Sequence, residues 1–95
     1  LGYGVCAFVG VNLNRAGDYK PVLQVLETMP EILEAHYTTG SYNILLKVIT
    51  RNVRDLHDFL IERLQAIPQV QTTETFISLE QALERDLPLP GEARV

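Results

Sequence analysis

A chain of 95 residues makes one domain rather than two, and at this size folding buries roughly 60–65% of the surface an unfolded chain exposes, so a partner subunit would help the core. The composition, 46% apolar and 21% charged with a net charge of −4, is that of a globular protein, and the scattered Lys and Arg lack the cluster that nucleic acid demands. No apolar run approaches the ~20 residues of a membrane span, no charged-then-apolar leader opens the chain, and the single Cys6 allows neither an internal disulfide nor a thiolate metal cluster.

The first element is read from Tyr3 to Leu13, where Tyr3, Val5, Ala7, Val9, Val11 and Leu13 alternate with other residues. Strict period two predicts a strand with one buried face. Asn14 to Gly17 supply a turn, Asp18 is placed to cap a helix, and Pro21 is tolerated in its first turn. Tyr19, Val22, Leu23, Leu26 and Met29 form the apolar stripe of that helix, and Pro30 stops it.

Ile32 to Thr39 read as a second strand, with Leu33, Ala35 and Tyr37 on one face. Gly40 and Ser41 turn the chain into a third strand, Tyr42 to Thr50, with Ile44, Leu46 and Val48 facing the core. Asn52 is placed to cap a second helix, whose buried stripe is Val53, Leu56, Leu60, Leu64 and Ile67, widened by Phe59. Pro68 ends it, and Val70 to Leu79 make a Thr-rich fourth strand. The division expected is a folded unit over 1–80 and an exposed C-terminal extension over 81–95, which carries Pro88, Pro90 and Gly91.

The segment Leu26-Glu27-Thr28-Met29-Pro30-Glu31-Ile32 recurs as Leu64-Gln65-Ala66-Ile67-Pro68-Gln69-Val70. Each copy is a helix end, a proline stop and a strand start. Two strand–helix–strand halves in tandem describe an α+β, ferredoxin-like βαββαβ fold: a four-stranded antiparallel sheet with two helices on one face. The other face would then show Cys6, Phe8, Leu45 and Ile49, with Lys47 and His36 among them. A half-apolar patch left in water marks an interface, so these four residues are expected to pack sheet against sheet in a dimer.

Catalytic constellations are not apparent. His36 and His57 lack metal-ligand spacing to any partner, and Asp55, Asp58 and Glu62 read as the charged outer face of a helix. Gly2, Gly4 and Gly10 lie in or beside a strand rather than leading into a helix, as a phosphate-binding loop requires. Leu45, Lys47 and Ile49 stand where an RNA-binding sheet of this fold would carry aromatic platforms. No enzyme activity, metal or cofactor is expected.

Tyr37-Thr38-Thr39-Gly40-Ser41-Tyr42-Asn43 is the exception, because a plain hairpin needs the glycine but not two tyrosines and three further hydroxyls. A second polar run, Gln71-Thr72-Thr73-Glu74-Thr75, opens the last strand. A zwitterionic amino acid asks for this mixture. Backbone N–H groups near Gly40, with the Thr39 and Ser41 hydroxyls, would meet its carboxylate; Glu74 and the Asn43 oxygen would accept from its ammonium group.

Leu1-Gly2-Tyr3 before an alternating strand, Glu34-Ala35-His36-Tyr37-Thr38-Thr39-Gly40-Ser41-Tyr42-Asn43-Ile44, Leu46-Lys47-Val48 and Gln71-Thr72-Thr73-Glu74-Thr75 together resemble the effector-binding (RAM) domain of Lrp/AsnC transcription regulators. The asparagine-responsive branch, with its Tyr-Thr-Thr-Gly motif, looks most similar. The lone Cys6 and the lack of any sign of export fit a cytoplasmic protein, and the resemblance implies a regulator with a helix-turn-helix domain ahead of this one, joined through a linker ending near Leu1-Gly2. It also implies dimerisation through the sheets, rings of dimers that are typically octamers, and an amino acid bound between dimers at Thr39, Gly40, Ser41, Tyr42, Asn43, Thr72, Thr73 and Glu74. DNA would be reached only through the helix-turn-helix domain, and no membrane is involved. Many family members carry acidic residues where this chain has Ser41 and Asn43.

The motif and the hydroxyl- and amide-rich loop favour asparagine, or a similarly small polar amino acid, as the effector. Because the chain starts at Leu1, it is expected to be a piece of something longer or a processed chain. Two alternatives remain: a free-standing effector domain, which the upstream sequence would distinguish, and a dimeric α/β-barrel enzyme. The enzyme would need a polar pocket between helices and sheet, where this chain places Val5, Ala7, Val9 and Val11.

Overall fold

In the computed structural model, which describes residues 4–86, the alternating segment forms a central strand, β1 (Val5–Leu13). Ala7, Val9, Val11 and Leu13 are buried on one side, while Cys6 and Phe8 rise from the other. A 3-10 turn at Ala16–Asp18 feeds α1 (Tyr19–Leu26), and β2 (Ile32–Tyr37), β3 (Ile44–Thr50), α2 (Val53–Phe59) and β4 (Val70–Ile77) follow. The strands lie in the order β2-β3-β1-β4 with every neighbouring pair antiparallel. Two helices cover the face built by Ala7, Val9 and Val11 of β1 and Ile44, Leu46 and Val48 of β3. Val22 and Leu26 of α1, with Leu56 and Phe59 of α2, close the core from above. This is the ferredoxin-like arrangement expected from the two halves.

The repeated proline stops adopt matching backbone geometry. Met29 N–H donates to the Leu26 carbonyl at 3.0 Å and Ile32 N–H to that of Met29 at 3.1 Å. In the second copy, Ile67 donates to Leu64 at 3.2 Å and Val70 to Ile67 at 3.0 Å. Leu26, Met29, Leu64 and Ile67 are all buried, so each copy turns its helix end into the core before its strand begins.

Several details depart from the sequence reading. A bulge between Ile32 and Glu34 inserts a residue into β2, so Ile32 packs on the core while Leu33 is turned out and 54% exposed. Asp18 precedes α1 without a side-chain cap bond, the 3-10 turn having already begun the helical path. Asn52 does cap α2, its Oδ1 accepting from Asp55 N–H at 2.8 Å, but Val53 beside it stays exposed and the buried stripe starts at Leu56. After Phe59 the helix widens into a π-helical turn, Leu60–Leu64, closed by Gln65 N–H to the Leu60 carbonyl at 2.8 Å.

Strand β4 ends at Ile77, two residues early, and Leu79 to Asp86 are exposed without regular structure. Leu1 to Tyr3, which include the linker-end residues of the resemblance, lie outside the described residues, as do Pro88, Pro90 and Gly91.

Candidate functional site

The hairpin between β2 and β3 is clamped on both sides of the sheet. Tyr37, at the end of β2, lies on the helix side and stacks on Tyr19, ring centroids 3.9 Å apart and planes 11° from parallel. Thr38 N–H donates to the Asn43 carbonyl at 2.9 Å, and Thr38 Oγ1 to the Tyr42 carbonyl at 2.7 Å. The tip is left to Thr39, Gly40 and Ser41, all exposed. Gly40 has φ of +104°, a conformation that side chains rarely adopt, so glycine is required there.

Tyr42 folds back over the open sheet face and covers Gly10. A Cβ built on Gly10 would lie 2.6 Å from the Tyr42 ring, so only glycine permits this approach. The Tyr42 hydroxyl donates to Oε1 of Glu74, which sits opposite Gly10 on β4. That hydrogen bond, then partial burial and then repulsion from the Glu74 charge hold the phenol above the ordinary tyrosine range. The Tyr42 ring also meets Phe76 edge-on, centroids 6.4 Å apart.

Asn43 stitches the hairpin to β1. Its N–H donates to the Val11 carbonyl at 3.0 Å, with Asn12 Oδ1 at 3.3 Å, and its own Oδ1 accepts from Leu13 N–H at 2.9 Å. The oxygen expected to receive an ammonium group thus already accepts one hydrogen bond from the backbone. Alternation then divides the threonine pair. Thr72 pairs with Asn12 on the open face, whereas Thr73 pairs with Val11 on the helix side and accepts from Gln65 Nε2 at 3.0 Å. Tyr42, Glu74 and Thr72 therefore share the open face near the hairpin, and Thr73 is turned away from them.

Cys6, Phe8, Leu45 and Ile49 all lie on the open face, in register as Cys6 with Ile49 and Phe8 with Lys47. Phe76, directly opposite Phe8 on β4, joins them and was not singled out from the sequence. Alternation running back from Ile77 would have found it. Gly10 and Asn12 were also missed, although an isolated glycine inside a strand is a known sign of a close approach. On the outer strand, Glu34 lies in register with Lys47 and accepts from His36 Nε2 at 3.1 Å. His57 is on an exposed helix face with Asp58 3.9 Å away. Among the described residues no group of three His, Cys, Asp or Glu is placed to hold a metal ion, and no helix is long and apolar enough to cross a membrane.

The four-stranded sheet with two helices on one face is the fold of a known class. The model of the Lrp/AsnC ligand binding domain matches residues 6–88, and the chain belongs to that family. Regulatory protein AsnC of Haemophilus influenzae is 46% identical over 87 residues, 92% of this chain and 58% of that protein. The structure of E. coli AsnC superposes with a TM-score of 0.86 at 42% identity, covering 90% of this chain and 58% of that one. The chain thus spans little more than half the length of the curated relatives it matches. A transcriptional regulator of Neisseria meningitidis, solved in complex with L-Met, shares the fold with a TM-score of 0.84 at 21% identity over 94% of this chain and 59% of that one.

Proposed function

We propose that this chain is the amino-acid-sensing and oligomerisation domain of a cytoplasmic transcription regulator, with asparagine or a similar small polar amino acid as effector. The observation that carries the reading is Tyr42, which follows the exposed hydroxyl-rich tip Thr39 to Ser41 and reaches by its hydroxyl to Glu74, on the same sheet face as Thr72. The tip supplies donors for a carboxylate. Glu74 supplies an acceptor for an ammonium group, since only its Oε1 is taken by Tyr42. The L-Met complex of the Neisseria protein supports an amino acid as the ligand class. The polar lining here, Ser41 and Thr72, argues for an amide rather than a thioether or aliphatic side chain.

Thr72, Tyr42 and Asn43 keep their place in the proposed site, Asn43 as a scaffold for the hairpin. Thr73 contributes through Gln65 and the register of β4 rather than by direct contact. Cys6, Phe8, Leu45 and Ile49, joined by Phe76, form the packing face of a homodimer. Dimers assemble further, to an octamer in the full regulator, with the amino acid held between dimers. A helix-turn-helix domain of the longer protein reads DNA, and the effector changes how strongly it does so. A ligand that completes its site only in the assembly stabilises the assembly.

Calorimetry across the twenty amino acids, paired with light scattering, tests this reading. Asparagine is expected to bind more tightly than leucine by about ten- to hundredfold, because each polar group that leucine leaves unpaired costs roughly 1–3 kcal/mol. Gly40→Val and Glu74→Ala are each expected to abolish most of that binding. Tighter binding of leucine, or asparagine binding that survives both substitutions, contradicts the site and the ligand together.

A further inference from the structure

Tyr42 stands where the hairpin tip meets the apolar open face. Its carbonyl is fixed by Thr38, its ring covers Gly10 and borders Phe76, and its hydroxyl donates to Glu74. Glu74 springs from the packing face itself, two residues from Phe76. That is a costly place for a carboxylate, because a second copy packing there removes water, and an unpartnered charge in an interface weakens it. Among the described residues the Tyr42 hydroxyl is the one hydrogen-bond partner of the Glu74 side chain. The lysine of this face, Lys47, is in register with Phe8 and Glu34 instead.

We propose that Tyr42 is a positioning residue that keeps the Glu74 carboxylate partnered at the margin of the packing face, so that dimerisation and amino-acid binding act through one hydrogen bond. This rests on the reading given above, in which the open face packs against a second copy and Glu74 receives an ammonium group. Tyr42 occupies Oε1 and leaves Oε2 for the ligand. The ligand's ammonium group is a second, charged partner for the same carboxylate. It can therefore stand in for the hydroxyl when the hydroxyl is removed. Gly10 belongs to the same device, since it is the absence of a side chain there that lets the ring reach Glu74.

Sedimentation equilibrium of the wild type, Tyr42→Phe, Glu74→Gln and the double variant, with and without saturating asparagine, tests the coupling. Tyr42→Phe keeps the ring and removes the donor, and it is expected to weaken the dimer about tenfold. The double variant is expected to dimerise as Glu74→Gln alone does, because no charge is left to strand. Saturating asparagine is expected to restore the Tyr42→Phe dimer toward the wild-type value. A Tyr42→Phe dimer as tight as wild type overturns the inference and leaves the packing face standing. A double variant that stays tenfold weaker than Glu74→Gln also overturns it, since the loss would then lie in ring packing. A Tyr42→Phe dimer that asparagine binds but does not strengthen removes the link to the ligand. A wild type that is monomeric throughout overturns the packing face and the inference together.

Discussion

The two faces of the sheet are built from interleaved residues of the same strands, yet they differ sharply. Toward the helices, Ala7, Val9, Val11, Ile44, Leu46 and Val48 are wholly shielded from water. Toward the other side, Phe8 and Ile49 remain 38% exposed and Phe76 45%, with Tyr42 folded over Gly10 and Glu74 at their margin. One face is complete within the chain. The other holds aromatic and aliphatic side chains that the chain's described residues leave partly exposed and that would gain by further burial. The first face makes the domain stable, and the second is where the proposed partner and ligand would act.

Adjacent residues on opposite faces give the largest contrast. Leu46→Ala removes a fully buried side chain and is expected to cost about 2–5 kcal/mol at every protein concentration, measured by denaturant unfolding. Leu45→Ala, one position away on the open face, is expected to lower stability only where the dimer is populated, an effect that vanishes on dilution. A Leu45→Ala loss independent of concentration would erase the distinction between the faces.

Gly10→Val tests the margin between them. The added side chain drives into the Tyr42 ring, and such overpacking costs about 1–3 kcal/mol. The Tyr42 fluorescence or ring-proton shifts are expected to move with it, while the helix-side core signals stay in place. Asn52→Ala acts within the helix layer alone. Loss of the cap on Asp55 N–H is expected to cost ~1 kcal/mol in thermal unfolding, with dimer affinity unchanged.

The smallest effect is electrostatic. The phenol of Tyr42 is held above the ordinary tyrosine range by its bond to Glu74. The neutral hydroxyl is the form that the fold favours. The stability it contributes is therefore complete below the ordinary tyrosine pKa and is lost as pH rises through the raised one. Ultraviolet titration is expected to show one tyrosine ionising late in the wild type. In Glu74→Gln, which removes the charge, that tyrosine is expected to ionise earlier.

Much of this contrast was legible in the sequence. Period two in β1 and β3 assigned Ala7, Val9, Val11, Ile44, Leu46 and Val48 to one face and Cys6, Phe8, Leu45 and Ile49 to the other, and the matching Met29-Pro30 and Ile67-Pro68 stops marked the two halves. What spacing could not supply was geometry that depends on distant parts of the chain. The bulge that turns Leu33 outward arises from pairing with β3, and the split of Thr72 from Thr73 follows from the register of β4 on β1. The hairpin was legible as polar and glycine-containing. That its second tyrosine folds back onto Gly10 and reaches Glu74 depends on three elements meeting, which no local pattern encodes.

The central claim is that the open face is completed by a second copy of the chain. Phe8→Lys puts a charge into that face while leaving the helix-side core untouched, so sedimentation of wild type and variant at micromolar concentration addresses it directly. The account predicts a wild-type dimer or larger assembly, and a folded Phe8→Lys monomer with unchanged circular dichroism. A wild type that remains monomeric, or a variant that assembles as tightly as the wild type, would contradict it.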